Sequence, residues 1–234
     1  MKKYLLMATM MVAALSANAQ SRFEPGTLTI QPRIGFTAAQ LTNTPAINLR
    51  EIGFSNSIDA QPTAGVMTGA DLEYQLTDWF SLAAGVNWAM AGSGWEDCDI
   101  KDAATGTSVK IRDMKIETGY ANIPVTANFY LFKGFAVKAG LQCGFLTNAK
   151  VKATISASGD GKNIKTEIDE DCKDQFKKFD LSIPVGVSYE FNIPIVIDMR
   201  YNIGISKVNK ESVAGEKDSR NGILTLTVGY KFKL

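Results

Sequence analysis

Leu224, Leu226, Val228, Tyr230, Phe232 and Leu234 take every second position at the end of the chain, with Thr225, Thr227, Gly229, Lys231 and Lys233 between them. A period of two is the mark of a β-strand with one apolar and one polar face. The same alternation runs from Asp180 to Phe191 and resumes after the short Asn192-Ile193-Pro194 segment, from Ile195 to Ser206. Two such strands joined by a tight turn predict a hairpin. Extended over the chain after residue 20, the pattern predicts eight strands, at about 27–38, 63–76, 79–91, 115–132, 134–157, 177–191, 194–207 and 221–234. Short turns (Thr77-Asp78, Phe132-Lys133-Gly134, Asn192-Ile193-Pro194) alternate with long polar excursions at about 39–62, 92–114, 158–176 and 208–220.

Alternation alone does not say which face is inside, because a soluble lipocalin-like barrel alternates too, with its apolar face inward. A water-facing exterior would be crowded with Lys and Glu. Here the polar face is Gly, Ser, Thr and Asn with a few charges of both signs: Arg33, Asp71, Glu73, Lys138, Asp198 and Arg200. That composition suits an enclosed lumen, where small residues fill a narrow space and charges must pair. A continuous apolar ring of that width needs lipid around it. Tyr74, Trp79, Phe80, Phe129, Phe132, Phe135, Tyr189, Phe191, Tyr230 and Phe232 gather where strands meet short turns, as in an interfacial aromatic girdle. The expected fold is all-β: an eight-stranded antiparallel up-and-down transmembrane β-barrel. Tight turns and both termini are expected on the periplasmic side and long loops outside the cell.

The first 19 residues read differently. Lys2 and Lys3 precede an apolar stretch from Tyr4 to Leu15 and an Ala17-Asn18-Ala19 cleavage site, the layout of a secretory signal peptide too short to span a bilayer. The mature domain then covers 20–234. Among the 234 residues, 25 basic and 24 acidic side chains nearly cancel, which removes the electrostatic footprint of a nucleic-acid binder. There is no His, so Ser-His-Asp and Cys-His nucleophiles and His-ligated metals are excluded. No catalytic, cofactor-binding or metal-binding residue is singled out, and no cofactor is expected.

The segment from Tyr120 to Lys150 carries an aromatic-x-x-Ile-Pro strand start (Tyr120, Ile123, Pro124), a Lys133-Gly134-Phe135 turn and a Gly-rich second strand. With residues 179–208 and the closing NGILTLTVGYKFKL, it resembles the small outer-membrane β-barrel family often labelled porin-like or PorT-like. The resemblance implies the same fold, a place in the outer membrane and varied roles. Thr227, Gly229, Phe232 and Leu234 resemble the C-terminal signal read by the barrel-assembly machinery, with Leu in place of the more usual final Phe.

Cys98 and Cys172 fall in the second and third excursions, and their pairing is the economical disulfide; three independent thiols are the alternative. Cys143 is in phase with Leu141 and Phe145 and should face lipid. Asp97 and Asp99, and Asp169-Glu170-Asp171, lack a calcium-loop spacing and read as solvated charge. Asp160-Gly161 reads as a type I′ hairpin turn. Asp198 and Arg200 share one face of a strand and read as a structural pair rather than a gating pair, with Glu190 or Asp180 as further partners for Arg200 and Lys231 for Asp198. The expected function is that of a non-enzymatic outer-membrane barrel acting through surface loops, with a possible extracellular ligand or protein partner, or as a structural or assembly-accessory component. A small porin or channel is the alternative, disfavoured because eight strands enclose an interior just filled by side chains.

Overall fold

The computed structural model describes residues 21–42, 47–48, 57–101, 108–159, 162–210 and 218–234. The expected signal peptide and the Asp160-Gly161 turn lie outside the described residues. Eight long strands form a ring: β1 (Leu28–Thr42), β2 (Thr63–Thr77), β3 (Phe80–Trp95), β4 (Ser108–Phe132), β5 (Phe135–Gly159), β6 (Phe179–Glu190), β7 (Ile195–Gly204) and β8 (Arg220–Tyr230). Each pairs antiparallel with the next, and Arg33↔Gly229 belongs to the register in which β8 returns to β1. Closure leaves the ring without an unpaired edge.

Three short connections mark one end of the barrel, the turn end. The β4–β5 turn depends on Gly134, whose φ is +79°; a Cβ there would come within 2.3 Å of Glu190 O. Ser21 and Leu234 are tied to the same end, through Ser21 N–H to Asp78 O and Leu234 N–H to Leu28 O. The aromatics cluster there: Phe132 stacks on Phe135 at 4.6 Å and Phe80 packs on Phe129 at 5.0 Å. Tyr230 lies 4.6 Å from Phe232.

The apolar faces point outward. Ile34, Val86, Val125 and Leu141 are more than half exposed, and Phe36 is 72% exposed. The polar faces point inward, where Gln31, Arg33, Asn87, Asn128 and Thr227 are buried. This is the reverse of a lipocalin and the arrangement a lipid surround requires, since the strands pair backbone to backbone around the closed ring and the outer surface is hydrocarbon.

The wall is uneven in height. β4 and β5 run for 25 residues each, whereas β6 and β7 have 12 and 10. β5 continues from its last pairing with β6, Phe145↔Phe179, to Gly159, about 46 Å of extended chain at ~3.3 Å per residue. The excursions expected at 92–114 and 158–176 are therefore not plain loops. Cys98–Lys101 pairs with β4, and Lys162–Asp171 forms a hairpin with β5. Together with the tops of β4 and β5 they make a four-stranded sheet rising above the rim.

One bulge separates this sheet from the barrel, and a second lies within the sheet. Gly119 faces Asn148 and Tyr120 faces Leu146, which leaves Thr147 as an extra residue on β5. A further irregularity lies between Arg112 and Lys115 on β4, where Asp113 has φ +53°. An extra residue turns every later side chain to the opposite face. Below Thr147 the odd positions of β5 (Val137, Leu141, Phe145) face outward. Above it, Ala149 and Ala153 are buried on the inner side, and Lys150 is exposed.

Candidate functional site

Inward-facing polar side chains meet in layers. In the middle of the barrel, Asp198 lies between Arg200 (2.7 Å), Lys138 (2.9 Å) and Arg33 (3.9 Å). Asp71 accepts from Arg33 at 3.1 Å and from Arg200 at 2.8 Å. None of these five side chains is more than 6% exposed. Three cations around two carboxylates form one bonded cluster across β1, β2, β5 and β7. Removing any carboxylate would leave buried cations uncompensated, the costly way to break a buried network.

Towards the turn end, Lys231 bonds Glu73 at 3.0 Å and also Glu190. Tyr130 Oη lies 2.6 Å from Glu73 Oε1 and 2.7 Å from Glu190 Oε1, and Ser81 donates to Glu73 at 2.6 Å. Phe23 covers Lys231 with its ring centroid 5.2 Å from Nζ, and Arg22 Nε donates to Glu190 O at 2.6 Å. The segment before β1 thus folds across this mouth. Towards the loop end, Asn122 donates to Asn87 at 3.0 Å. Asp180 accepts from Ser206 at 2.5 Å and from Asn221 at 3.1 Å.

Above Asp180 the interior turns apolar. Ala39, Leu41, Ala91, Tyr120, Leu146, Ala149 and Ile223 converge from five strands on Cys172, Phe176 and Val208. The last three belong to two segments, 172–178 and 205–210, that cross the mouth as a lid. Lys177 N–H donates to Val208 O, Lys210 N–H to Gln175 O, and Cys172 N–H to Ala149 O. The barrel interior is thereby filled by charge pairs in the middle and by an apolar plug beneath the lid.

The six charges singled out in the sequence lie in this interior, with partners that differ from those expected. Arg200 pairs with Asp198 and Asp71 rather than with Glu190 or Asp180, and Lys231 pairs with Glu73 and Glu190 rather than with Asp198. Partners reach across the narrow lumen at one height, so distance along the barrel axis decides them. Thr227 and Gly229 face inward, and Phe232 and Leu234 are exposed outward.

The Cys98–Cys172 disulfide is not formed: both are buried free thiols. Cys98 packs with Ile58, Trp95, Ile100 and Ile111 on the wall, whereas Cys172 is part of the plug. Separate apolar clusters hold the two residues that free loops would have allowed to meet. Burial, reinforced by Asp171, raises the Cys172 thiol pKa, which disfavours the reactive thiolate. Cys143 is half-buried between the outward Leu141 and Phe145.

Tyr130 and the plug complete the interior beyond the residues first picked out, while Glu190 and Lys231, expected only as partners of Arg200 and Asp198, meet each other at the turn end. Their signal was positional: each occupies the inward phase of its strand, and on β1 that phase changes from Gln31, Arg33 and Thr37 to Ala39 and Leu41. On the outer face of the tall sheet, Lys115 and Lys152 bond Glu117 at 2.8 and 2.6 Å. Burial alone would raise the Glu117 carboxyl pKa, but the two ammonium groups outweigh it and hold the pKa below its ordinary value. Among the described residues no group of three His, Cys, Asp or Glu converges to hold a metal.

The profile of the family described as outer membrane protein beta-barrel domain matches residues 18–210. The chain belongs to this family. Its place is accordingly the outer membrane. No curated protein matches the chain. Among solved structures it is similar to Ail, the attachment invasion locus protein of Yersinia pestis, in complex with the heparin analogue sucrose octasulfate. The identity is 13% and the TM-score 0.45, over 90% of this chain and 100% of that one. Neisserial surface protein A is 17% identical with a TM-score of 0.39, over 88% and 97% of the two chains. OprG from Pseudomonas aeruginosa is 15% identical with a TM-score of 0.37, over 90% and 98%.

Proposed function

We propose that this family member is a non-enzymatic, non-conducting barrel that anchors the tall sheet and lid at the cell surface, where they meet a ligand or protein outside the cell. In this reading the first 19 residues direct export and are removed. Thr227, Gly229, Phe232 and Leu234 present the closing strand to the assembly machinery. The turn end with both termini faces the periplasm, and the loop end faces outward. The observation that carries the reading is the filled interior: the Arg33–Asp71–Arg200–Asp198–Lys138 cluster and the Tyr120–Leu146–Phe176 plug occupy the path a solute would take.

The test is single-channel recording of the purified, folded protein in a planar bilayer. No stable conductance steps are expected. Steady steps that vanish on replacing Arg200 or Asp198 would favour the small-channel alternative, with those two residues as its gate.

A further inference from the structure

The lid is unusually basic for a near-neutral chain. Segments 172–178 and 205–210 carry Lys173, Lys177, Lys178, Lys207 and Lys210 against one acid, Asp174. Lys173 is spent on Thr147 O at 2.7 Å and Lys207 on Asp218 at 3.5 Å. Lys177, Lys178 and Lys210 have no carboxylate partner among the described residues. Backbone bonds between the two segments, Lys177 N–H to Val208 O and Lys210 N–H to Gln175 O, hold these three lysines on one small piece of structure.

Their height selects the partner. Lys178 directly precedes Phe179, which is 46% exposed and meets the outward Phe145 edge-on at 5.7 Å. On the neighbouring strand the outward series ends at Ile203 and Ile205, two residues before Lys207. At ~3.3 Å per residue, Lys178 and Lys177 lie within about 7 Å of chain from Phe179 at the top of the lipid-facing belt, the depth of lipid headgroups, and the bond from Lys210 N–H to Gln175 O keeps Lys210 on the same piece of structure. This is the low side of the rim, where the described strands β6 and β7 end early. Four lysines on the tall sheet differ in both respects: Lys115, Lys150, Lys152 and Lys165 are each bonded to a carboxylate.

We propose that Lys177, Lys178 and Lys210 bind the phosphate groups of an anionic lipid in the leaflet at the loop end, with the Phe145–Phe179 pair against its acyl chains. The leaflet assignment rests on the loop end facing outward, as read above. Lysine is a compact point charge suited to phosphate, and clustered basic residues at a membrane surface each add several-fold to the affinity for anionic headgroups.

The experiment is native mass spectrometry of the folded full chain in neutral detergent micelles, titrated with diphosphoryl lipid A. Micelles have no sides, so neither the orientation nor the conductance result alters this readout. Saturable binding is expected, weakened on the order of a hundredfold in the K177Q/K178Q/K210Q variant and unchanged in K165Q on the tall sheet. If the triple variant does not fold, the exposed Lys178→Gln alone should weaken binding about fivefold. Equal binding by the lysine variants, or by lipid A stripped of its phosphates, would overturn the proposal. So would tighter binding of a sulfated oligosaccharide than of lipid A at the same three lysines.

Discussion

Within β4 and β5 the lower and upper halves exchange the character of their two faces, β4 by a change of residue types at constant phase and β5 by a change of phase. Between Ala121 and Phe145 the outer face is Ile123, Val125, Phe129, Val137 and Leu141, and the inner face holds Asn122, Asn128, Lys138 and Gln142. Above Gly119 and Thr147 the outer face carries Lys115, Glu117, Lys150 and Lys152, while Ile116, Ala149, Val151 and Ala153 turn inward. The surroundings explain both. In lipid the outside must be hydrocarbon and the polar groups must find each other within; in water the ordinary preference for an apolar interior returns. On β5 a one-residue bulge exchanges the two, because the side-chain period is two; β4 keeps its phase, and its outward odd positions themselves change from Ile123 and Val125 to Lys115 and Glu117. The membrane boundary on this side of the barrel is thus written into the backbone at Thr147.

Deleting Thr147 should have the largest effect. It would send Lys150 and Lys152 inward and Ala149 and Val151 outward, so the tall sheet should lose its ordered pairing while the barrel below stays closed. Limited proteolysis should cleave above the barrel, within residues 98–118 or 149–171, and leave a core that still shifts mobility on heating.

Next is the interior network. Asp198→Leu leaves Lys138 without its carboxylate and three buried cations around Asp71 alone, and should cost about 3–5 kcal/mol of unfolding free energy in lipid vesicles. Replacing Arg200 and Asp71 together, by Met and Leu, preserves the charge balance of the cluster and should cost markedly less. Equal losses would mean that the pairs act independently rather than as one unit.

The outer face below the boundary should then reject charge. Met199→Arg, outward in the middle of β7 and 46% exposed, should cost about 2–4 kcal/mol, whereas Asn202→Ser on the inner face should be nearly silent.

The smallest expected effect is a pH dependence above the boundary. Because the Glu117 pKa is depressed in the folded sheet, its contribution is present above the unfolded carboxylate pKa and is lost as pH falls through the lowered folded value. Protonation leaves Lys115 and Lys152 opposite one another, at a cost of about 0.5–1 kcal/mol. Amide exchange around Lys115 and Lys152 should quicken on acidification, and the Glu117→Gln variant should show no such change.

The lower half of the molecule was legible in the sequence because each strand there keeps one phase from end to end: the eight strands, the aromatic girdle and the inward charges follow directly. On β4 the exchange is written in the residues, whose even positions pass from Asn128, Thr126 and Asn122 to Ile116; on β5 the inversion was not legible, since a bulge leaves the written alternation intact. Odd positions of β5 stay small or apolar from Phe135 through Phe145 to Ala157, and nothing in that run shows that Thr147 is skipped. The wall above the rim read as loop for a related reason: Ile100, Val109, Ile111, Ile164 and Ile168 are spaced by charges that resemble solvated loop. The mistaken partners of Arg200 and Lys231, and the disulfide that does not form, needed heights and distances that no pairing of residue types supplies.

The inversion at Thr147 can be measured by spin-label accessibility in bilayers. Single labels would be placed at 141, 145, 149, 150, 151 and 152 in a variant lacking the three native cysteines, and probed with oxygen for lipid exposure and a water-soluble nickel reagent for water exposure. Labels at 141 and 145 should respond to oxygen, labels at 150 and 152 to nickel, and labels at 149 and 151 to neither. Oxygen accessibility that continues at every odd position through 149 and 151 would contradict the inversion, leaving the tall sheet as an unbroken continuation of the lipid-facing wall.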